Sequence, residues 1–354
     1  MIRVAAPGKM ILLGEYAVLD GAPALVCAVD KWAYVTMEPL GGMEFIFNAP
    51  SLGLQDLPFV ITPKHHVRFD PSLSPSMLKR LDLFSKIFEY TWAQIAPSFD
   101  QGWHITINTD DFYSHALHTK FGFGSSAALC VALVTAMGQA FNRPLSKAAL
   151  FRLALQAHHY AQGKIGSGID IAASFFGGYL IYQRIFEHDP PEKIPEKIDA
   201  CSGLHFTPVF TGHSASTRKL VKGVKQLQEQ FPQIYAEIMD RLKQISRQGS
   251  LHFKGQNTEA FLEDVRSFYD ALKELGDRSA MPIISETHQR IFDLAQQEQV
   301  AYKPSGAGSG DIGILFSEDA QRLKKAEEKV RAAGYLPLQI QVARQGVHAL
   351  ERQN

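Results

Sequence analysis

Lys120-Phe121-Gly122-Phe123-Gly124-Ser125-Ser126-Ala127-Ala128 is a glycine-rich turn that leads directly into a long apolar helix, predicted over residues 126–141. Gly122 and Gly124 remove two side chains where backbone N–H groups can approach a ligand closely. Ser125 or Ser126 can cap the helix by accepting a hydrogen bond from one of its unpaired N–H groups. The helix dipole adds partial positive charge at the same place. The stretch therefore predicts a phosphate site, or else a tight turn and helix cap without a ligand.

Two widespread phosphate-binding patterns do not fit this stretch. The chain has no G-x-x-x-x-G-K-[ST] segment, which excludes a P-loop. Gly122-x-Gly124-x-x-Ala127 matches the loose dinucleotide fingerprint, but that fingerprint belongs to the first βα unit and needs an acid about 20 residues later. Residues 140–156 contain neither Asp nor Glu, so a Rossmann site is not expected.

The composition indicates a globular protein without a global charge. The 354 residues suffice for two domains of about 150 residues each. Lys plus Arg and Asp plus Glu both number 36, so no overall field favours nucleic acid or an anionic membrane as partner. Cys27, Cys130 and Cys201 are far apart, which indicates a reducing, cytoplasmic setting without disulfides or zinc. Either a monomer or a homodimer is compatible with the sequence.

Hydrophobic spacing predicts mixed α and β structure. Residues 2–5 form a predicted strand that Pro7-Gly8 ends in a turn, and helices are predicted over 75–96 and 148–162. A proline-rich stretch at 189–195 separates this part from a strand at 204–210. Predicted elements after it include helices at 231–247, 259–275, 282–296 and 319–333 and strands at 312–316 and 336–342. The strand–helix–strand end of the chain favours an α+β sandwich over a doubly wound sheet.

Further candidate site residues lie at the ends of elements. Lys9 follows Pro7-Gly8, where its ammonium can point into a cleft or simply into solvent. Gly166-Ser167-Gly168 precedes Asp170, so a ligand can come close and meet the carboxylate, although a first-turn helix acid is the structural alternative. Two more turns rich in Gly, Ser and Thr occur at 211–217 and 303–311. Phosphoryl transfer needs mainly positioning and charge neutralisation, which such groups supply if they converge.

Three motifs, in chain order, resemble those of the GHMP small-molecule kinases, which include galactokinase, homoserine kinase, mevalonate kinase and phosphomevalonate kinase. Ala6-Pro7-Gly8-Lys9 with Gly14-Glu15-Tyr16-Ala17-Val18 is similar to motif one. Gly122 to Ala127 is similar to motif two, the nucleotide phosphate loop. Lys303-Pro304-Ser305-Gly306-Ala307-Gly308-Ser309-Gly310-Asp311 is similar to motif three. The three motifs together span almost the whole chain.

The resemblance implies an α/β (α+β) two-domain GHMP kinase fold. An N-terminal α/β domain with a left-handed β-α-β crossover would cover residues 1–190. A ferredoxin-like α+β C-terminal domain would cover residues 200–354. ATP and a small-molecule acceptor would meet in the cleft between the domains, and Mg²⁺ would accompany ATP.

Carried over position by position, the resemblance assigns roles to single residues. Lys9 and Asp170 would be the catalytic pair, and Ser126 a magnesium contact. The implied ATP-binding positions are Lys120, Gly122, Gly124, Ser125, Ser126 and Ala127. The implied substrate-binding positions are Tyr16, Ser167, Gly168, Ser214, Ser216, Thr217, Gly306, Ala307 and Gly308.

The segments at 14–18, 120–128, 170–174 and 211–217 are most similar to those of phosphomevalonate kinases. Mevalonate kinases typically have His in place of Tyr16, Asn in place of Ile171 and a magnesium-binding Glu in place of His158. Residues 20–25 and 167–170, in contrast, are more similar to the segments of mevalonate kinases. The resemblance thus implies that ATP phosphorylates 5-phosphomevalonate. Mevalonate, a sugar or homoserine as acceptor, or a catalytically silent ligand sensor, are the alternatives.

The group that holds the acceptor's own phosphate is left open by the sequence. Lys120, Lys219 and His213 are candidates because they neighbour the matched loops, and each is as readily explained as a surface residue.

Overall fold

The computed structural model describes residues 1–95, 101–163, 166–186, 188–214 and 217–351. The chain forms an α/β domain followed by an α+β domain. The strands of the first domain are β1 (Ile2–Leu13), β2 (Ala24–Pro39), β3 (Phe45–Ala49), β4 (Leu54–Ile61), β5 (Val67–Phe69), β6 (Trp103–Asn108), β7 (Tyr113–Ser114), β8 (Thr119–Lys120), β9 (Tyr179–Tyr182) and β10 (Glu196–Ile198). Its helices are α1 (Pro75–Ile95), α2 (Ser125–Ala140), α3 (Lys147–Gln162) and α4 (Ile169–Phe176).

The elements of the second domain follow in the same way. Its strands are β11 (His205–Phe210), β12 (Ala301–Ser305), β13 (Ile312–Ser317) and β14 (Leu336–Pro337). Its helices are α5 (Thr217–Gln230), α6 (Pro232–Lys254), α7 (Thr258–Ser279), α8 (Glu286–Gln296) and α9 (Ala320–Ala332). A last short strand, β15 (His348–Ala349), belongs to the sheet of the first domain.

The long strand β2 organises the first sheet. It pairs along its length with antiparallel β1, from Ile2↔Met37 to Leu13↔Leu25. On its other side the start of β2 pairs with β9 and its end pairs with β6. β3 and β6 are parallel neighbours, connected through β4, β5 and α1. Thus β1, the strand that carries Lys9, is paired with the centre of the sheet.

Helix α2 lies against β1 and β2 and is buried almost all round. Every residue from Ala127 to Gly138 is buried, as expected for a helix without a polar face. Its N-terminus is therefore held firmly beside β1. Within the described ranges, no helix has both the length and the apolar character needed to span a lipid bilayer.

The predicted turn at Pro7-Gly8 is wrong, because β1 continues through both residues to Leu13. The register of the β1–β2 pair shifts between Pro7 and Gly8, so a bulge accommodates the proline, which has no N–H to donate. Gly8 lets the loop before α2 come close, since a Cβ at this position would lie 2.8 Å from the Phe123 carbonyl oxygen. Lys9 consequently sits on a strand and is only 8% exposed.

The second domain has the expected ferredoxin-like arrangement. Its antiparallel sheet has the order β12-β13-β11-β14, and the chain runs strand, helices, strand, strand, helix, strand. The helices α5 to α8 connect β11 to β12. The three helices predicted over 231–296 are found as α6, α7 and α8, with the first two extending further than predicted.

The predicted last strand, residues 336–342, ends after β14 at Pro337. The rest of the chain crosses back to the first sheet. Gln341 accepts a backbone hydrogen bond from Asp30 at 2.9 Å, and Ala343 accepts one from Gly178 at 2.7 Å. β15 then pairs with β1. This C-terminal segment ties the two domains together on the side of β1.

Candidate active site

A cleft of about 230 Å³ lies where the two domains meet. The first domain contributes β1 and the residues after it, the N-termini of α2 and α4, and the end of α3. The second contributes the N-terminus of α5 and the turn after β12. The predicted site residues that line this cleft together are Lys9, Tyr16, Ser126, Ser167, Gly168, Asp170, Thr217, Gly306 and Ala307.

The glycine-rich turn forms the N-terminus of α2, but the predicted serine cap is wrong. Gly124 is the N-cap residue, in the left-handed region at φ 80°, and no side chain caps the helix. Ser125 and Ser126 are instead the first two helical residues, and Ser126 Oγ lies 3.4 Å from His158 Nε2. Among the predicted ATP-binding residues Ser126 lines the cleft, whereas Lys120 is exposed on β8 and Ala127 is buried in α2.

Lys9 lies along this turn. Its backbone N–H donates to the Phe123 carbonyl at 2.9 Å. A Cβ at position 124 would lie 3.0 Å from Lys9 Cγ and 3.2 Å from Lys9 Cε, so glycine leaves the room that the lysine stem occupies. Gly122 is close to motif three in the same manner, since a Cβ there would lie 2.6 Å from the Cβ of Asp311. The close packing brings the three motifs into contact.

A buried ion pair joins motif one to motif three. Lys303 Nζ lies 2.5 Å from Glu15 Oε1, with side-chain exposures of 0% and 1%. The same carboxylate oxygen accepts from the Gly306 N–H at 3.3 Å. Burial lowers the pKa of Lys303, and the Glu15 charge opposes that shift. The pair is thus fully desolvated and lies at the wall of the cleft, which Glu15 lines.

Two hydroxyl groups add further contacts between the same segments. The Tyr16 hydroxyl donates to the Ala307 carbonyl at 2.6 Å, and burial raises the pKa of Tyr16 well above its ordinary value. Ser305 Oγ accepts from the Ile11 N–H at 3.0 Å and donates to the Ile11 carbonyl at 2.9 Å. Motif three is therefore hydrogen-bonded directly to β1 and to the residues after it.

His288 supports motif three from α8. It is fully buried, with Nε2 at 3.2 Å from the Gly310 carbonyl oxygen and Nδ1 at 2.7 Å from the Tyr302 hydroxyl. Because a carbonyl only accepts, Nε2 carries the proton and Nδ1 accepts from Tyr302 in a neutral ring. Burial lowers the pKa of His288 to about 4. This neutral histidine holds the end of the glycine-rich turn.

The loop before α4 presents Asp170 to the cleft. Gly168 is the N-cap of α4 at φ 86°, and a Cβ there would lie 2.5 Å from Leu155 Cδ2. The Tyr182 hydroxyl donates to the Ser167 carbonyl at 2.6 Å and holds the loop in place. Asp170 occupies the first turn of α4 and also lines the cleft, so its functional and structural interpretations are both compatible with its position.

Magnesium can be tested against the oxygen donors of the cleft. The Ser126 hydroxyl and the Asp170 carboxylate are both oxygen groups, the ligand type that Mg²⁺ prefers, and both line the cleft. His158 is close to Ser126, and burial lowers its pKa while the Asp170 charge partly opposes the shift. The described residues contain no group of three or more His, Cys, Asp or Glu able to hold a metal. Two oxygen donors suit an ion that arrives with phosphates and keeps several waters.

Several predicted residues lie elsewhere. Ser216 is outside the described residues, and Ser214 is exposed and is not among the residues that line the cleft. Gly308 is buried, and a Cβ there would lie 2.4 Å from the Ile283 carbonyl oxygen. The glycine therefore lets motif three pack against the backbone at Ile283. His213 Nε2 lies 3.1 Å from the Ser309 carbonyl oxygen, and Lys219 is exposed.

Arg218, Gln162 and His158 line the cleft but were not among the predicted site residues. Arg218 follows Thr217 in the first turn of α5, and Gln162 and His158 lie near the end of α3. The basic residues at the start of α5 were visible in the sequence, but periodicity alone does not tell which of them faces the first domain. Their positions depend on the packing of the two domains.

Comparisons with known proteins find relatives in both sequence and fold. Residues 82–178 match the family model described as "GHMP kinases N terminal domain". The chain is 28% identical to "Phosphomevalonate kinase" of Streptomyces sp. (strain CL190), covering 97% of both chains. It is 22% identical to "Mevalonate kinase" of Pyrococcus furiosus, covering 98% of this chain and 97% of the relative. A solved structure of Streptococcus pneumoniae phosphomevalonate kinase with phosphomevalonate and AMPPNP superimposes with a TM-score of 0.78 at 20% identity, covering 97% and 100%.

Replacing Lys303 by Ala should destabilise the protein by about 3–5 kcal/mol, because the Glu15 carboxylate would stay buried without its partner. The free energy of unfolding in urea measures this effect. The double variant Glu15→Gln/Lys303→Met is the control and should recover most of the loss, since it removes both charges. A cost below about 1 kcal/mol for Lys303→Ala would contradict the buried pair.

His288 should make stability depend on pH. Its pKa is lower in the native state, about 4, than the ordinary value of 6.5, so the unfolded chain takes up a proton that the native chain excludes. Its contribution is present above about pH 6.5 and decreases as the pH falls towards 4, by about 3 kcal/mol in all. In His288→Gln this decrease should vanish, so the stability difference from wild type narrows on acidification. Urea unfolding at about pH 7 and about pH 4.5 tests this, and a constant difference would refute it.

Proposed function

We propose that this chain, which belongs to the GHMP kinase family, transfers the γ-phosphate of ATP to 5-phosphomevalonate, giving ADP and 5-diphosphomevalonate. The observation that carries the proposal is the convergence of Lys9, Ser126 and Asp170 on one cleft between the domains. The names of two relatives, from Streptomyces and Saccharolobus solfataricus, support this choice of acceptor at 28% and 26% identity. The product would serve the mevalonate route of isoprenoid synthesis.

Each substrate has a place in this proposal. The phosphates of ATP would bind at the N-terminus of α2, where the turn from Gly122 to Ala127 presents N–H groups and the positive end of the helix dipole. The acceptor would occupy the part of the cleft bounded by Tyr16, Ser167, Thr217 and the turn at 306–307. Its reacting oxygen would then meet the γ-phosphate beside Lys9.

Transfer to this acceptor needs little help from a general base. A phosphate monoester has a second pKa of about 6, so an acceptor oxygen is already anionic at neutral pH. That oxygen forms a bond to the γ-phosphorus while the bond from this phosphorus to the β-phosphate oxygen breaks, and ADP leaves with the electron pair. Lys9 neutralises charge where two polyanions approach each other. Asp170 orients Lys9 or the acceptor.

Ser126 would hold the magnesium ion that accompanies ATP. The chemistry that Mg²⁺ supplies when bound is neutralisation of charge on the β- and γ-phosphates. Ser126 also has His158 beside it, whose neutral ring adds no charge to this part of the cleft.

Mevalonate kinase is the second candidate, and the names of relatives from Pyrococcus and Thermococcus favour it at 22–25% identity. Its acceptor is a hydroxyl, which keeps its proton at neutral pH, so Asp170 would have to act as a general base. ADP release with mevalonate and with 5-phosphomevalonate, measured side by side, separates the two. Turnover with mevalonate alone would overturn our proposal, and turnover with neither would favour a ligand sensor.

Lys9→Ala should lose about 10³-fold in kcat, because the substitution removes the charge that neutralises the transferred group. Asp170→Asn should lose far less, about tenfold, since the acceptor is already ionised. Steady-state kinetics with 5-phosphomevalonate at saturating ATP and Mg²⁺ measure both. An equal and nearly complete loss in the two variants would show that Asp170 is a base after all.

A further inference from the structure

The charged groups that line the cleft leave an excess of positive charge. The described residues that line it include two carboxylates, on Glu15 and Asp170, and two basic side chains, on Lys9 and Arg218. Glu15 is already neutralised by Lys303, which lies behind the cleft wall. Among these described residues, Asp170 is then the one carboxylate left to balance the charges of Lys9 and Arg218. An anionic ligand would balance this excess.

Arg218 is held only by neutral groups in the described part of the chain. Its Nη2 donates to the main-chain carbonyl of Gln162 and to Gln162 Oε1, both at 3.2 Å. Both contacts are exposed, and hydrogen bonds of this length to neutral oxygens are weak. No carboxylate among the described residues forms an ion pair with this guanidinium. Arg218 is thus free to exchange Gln162 for a charged partner.

The chemistry of the side chain indicates what that partner is. A guanidinium presents N–H donors in a planar fork that matches two oxygens of a phosphate or carboxylate. A single nitrogen of Arg218, Nη2, makes both contacts with Gln162. It also lies in the first turn of α5, where backbone N–H groups and the helix dipole attract the same kind of anion.

We infer that Arg218 is the residue that selects an acceptor already bearing a phosphate, by exchanging its two contacts with Gln162 for the oxygens of that phosphate. The inference rests on the proposed function and adds a specificity residue to it. Lys9 neutralises the transferred group, and Arg218 neutralises the acceptor phosphate. With an acceptor that ends in a hydroxyl, Arg218 keeps its hydrogen bonds to Gln162 and contributes nothing to the binding of the acceptor.

Calorimetric binding of 5-phosphomevalonate and mevalonate tests this directly, because the two molecules differ by the phosphate alone. Wild type should bind the phosphorylated compound more tightly. Arg218→Gln should weaken that binding about 10- to 100-fold and change mevalonate binding less than about twofold. Arg218→Lys should recover only part of the loss, since an ammonium cannot grip two oxygens at once. Lys222→Gln removes an exposed charge one turn further along α5 and should change neither affinity.

Kinetics separate this inference from the proposed function. Turnover of 5-phosphomevalonate by wild type supports the function, and a higher KM with a nearly unchanged kcat in Arg218→Gln supports the inference, because a ground-state contact has been lost. If wild type turns over 5-phosphomevalonate but Arg218→Gln binds it normally, only the inference fails. Equal weakening for both acceptors also overturns it, by placing Arg218 on the carboxylate that they share. Turnover of mevalonate alone by wild type would overturn both.

Discussion

The buried ion pair between Glu15 and Lys303 is the constraint on which the cleft depends. Each charge belongs to a different domain, and each would pay a large desolvation cost if its own domain folded around it alone. The pair is therefore compatible only with the two domains docked as they are. Docking places the turn after β12 against the end of β1, and these two segments form one wall of the cleft. The buried pair of Glu15 and Lys303 thus also determines the position of the site.

The glycines of the motifs serve this docking as much as any ligand. A side chain at Gly8 would strike the Phe123 carbonyl, one at Gly124 would meet the Lys9 stem, and one at Gly122 would strike Asp311. These neighbours belong to the protein, and the three contacts hold β1, the start of α2 and motif three together. In a sequence, such glycine-rich loops indicate space for a phosphate. In this protein they are also the places where three backbone segments approach each other.

The features that could be predicted from the sequence are those that depend on residues close together in the chain. The apolar spacing of α2 and of α6 to α8 is a short-range pattern, and those helices were found where expected. The turn at Pro7-Gly8 was wrong because a bulge in β2, about 23 residues away, accommodates the proline. The return of the C-terminal segment to β1 had no counterpart in the local pattern. Arg218 could be recognised in the sequence as a charged residue, but only the packing of the second domain against the first determines that it faces the cleft.

The division of the cleft between the domains bears on how one fold can act on different acceptors. Lys9, Ser126 and Asp170 all come from the first domain, on β1, α2 and α4, which pack closely around one another. Transfer to a hydroxyl or to a phosphate needs the same charge neutralisation at the γ-phosphate, so Lys9 and Ser126 cannot distinguish the acceptors. Discrimination must then come from groups that touch only the acceptor. In our proposal that group is Arg218, exposed at the start of α5 and held by weak contacts, where a substitution can change the acceptor without disturbing the buried pair that positions the site.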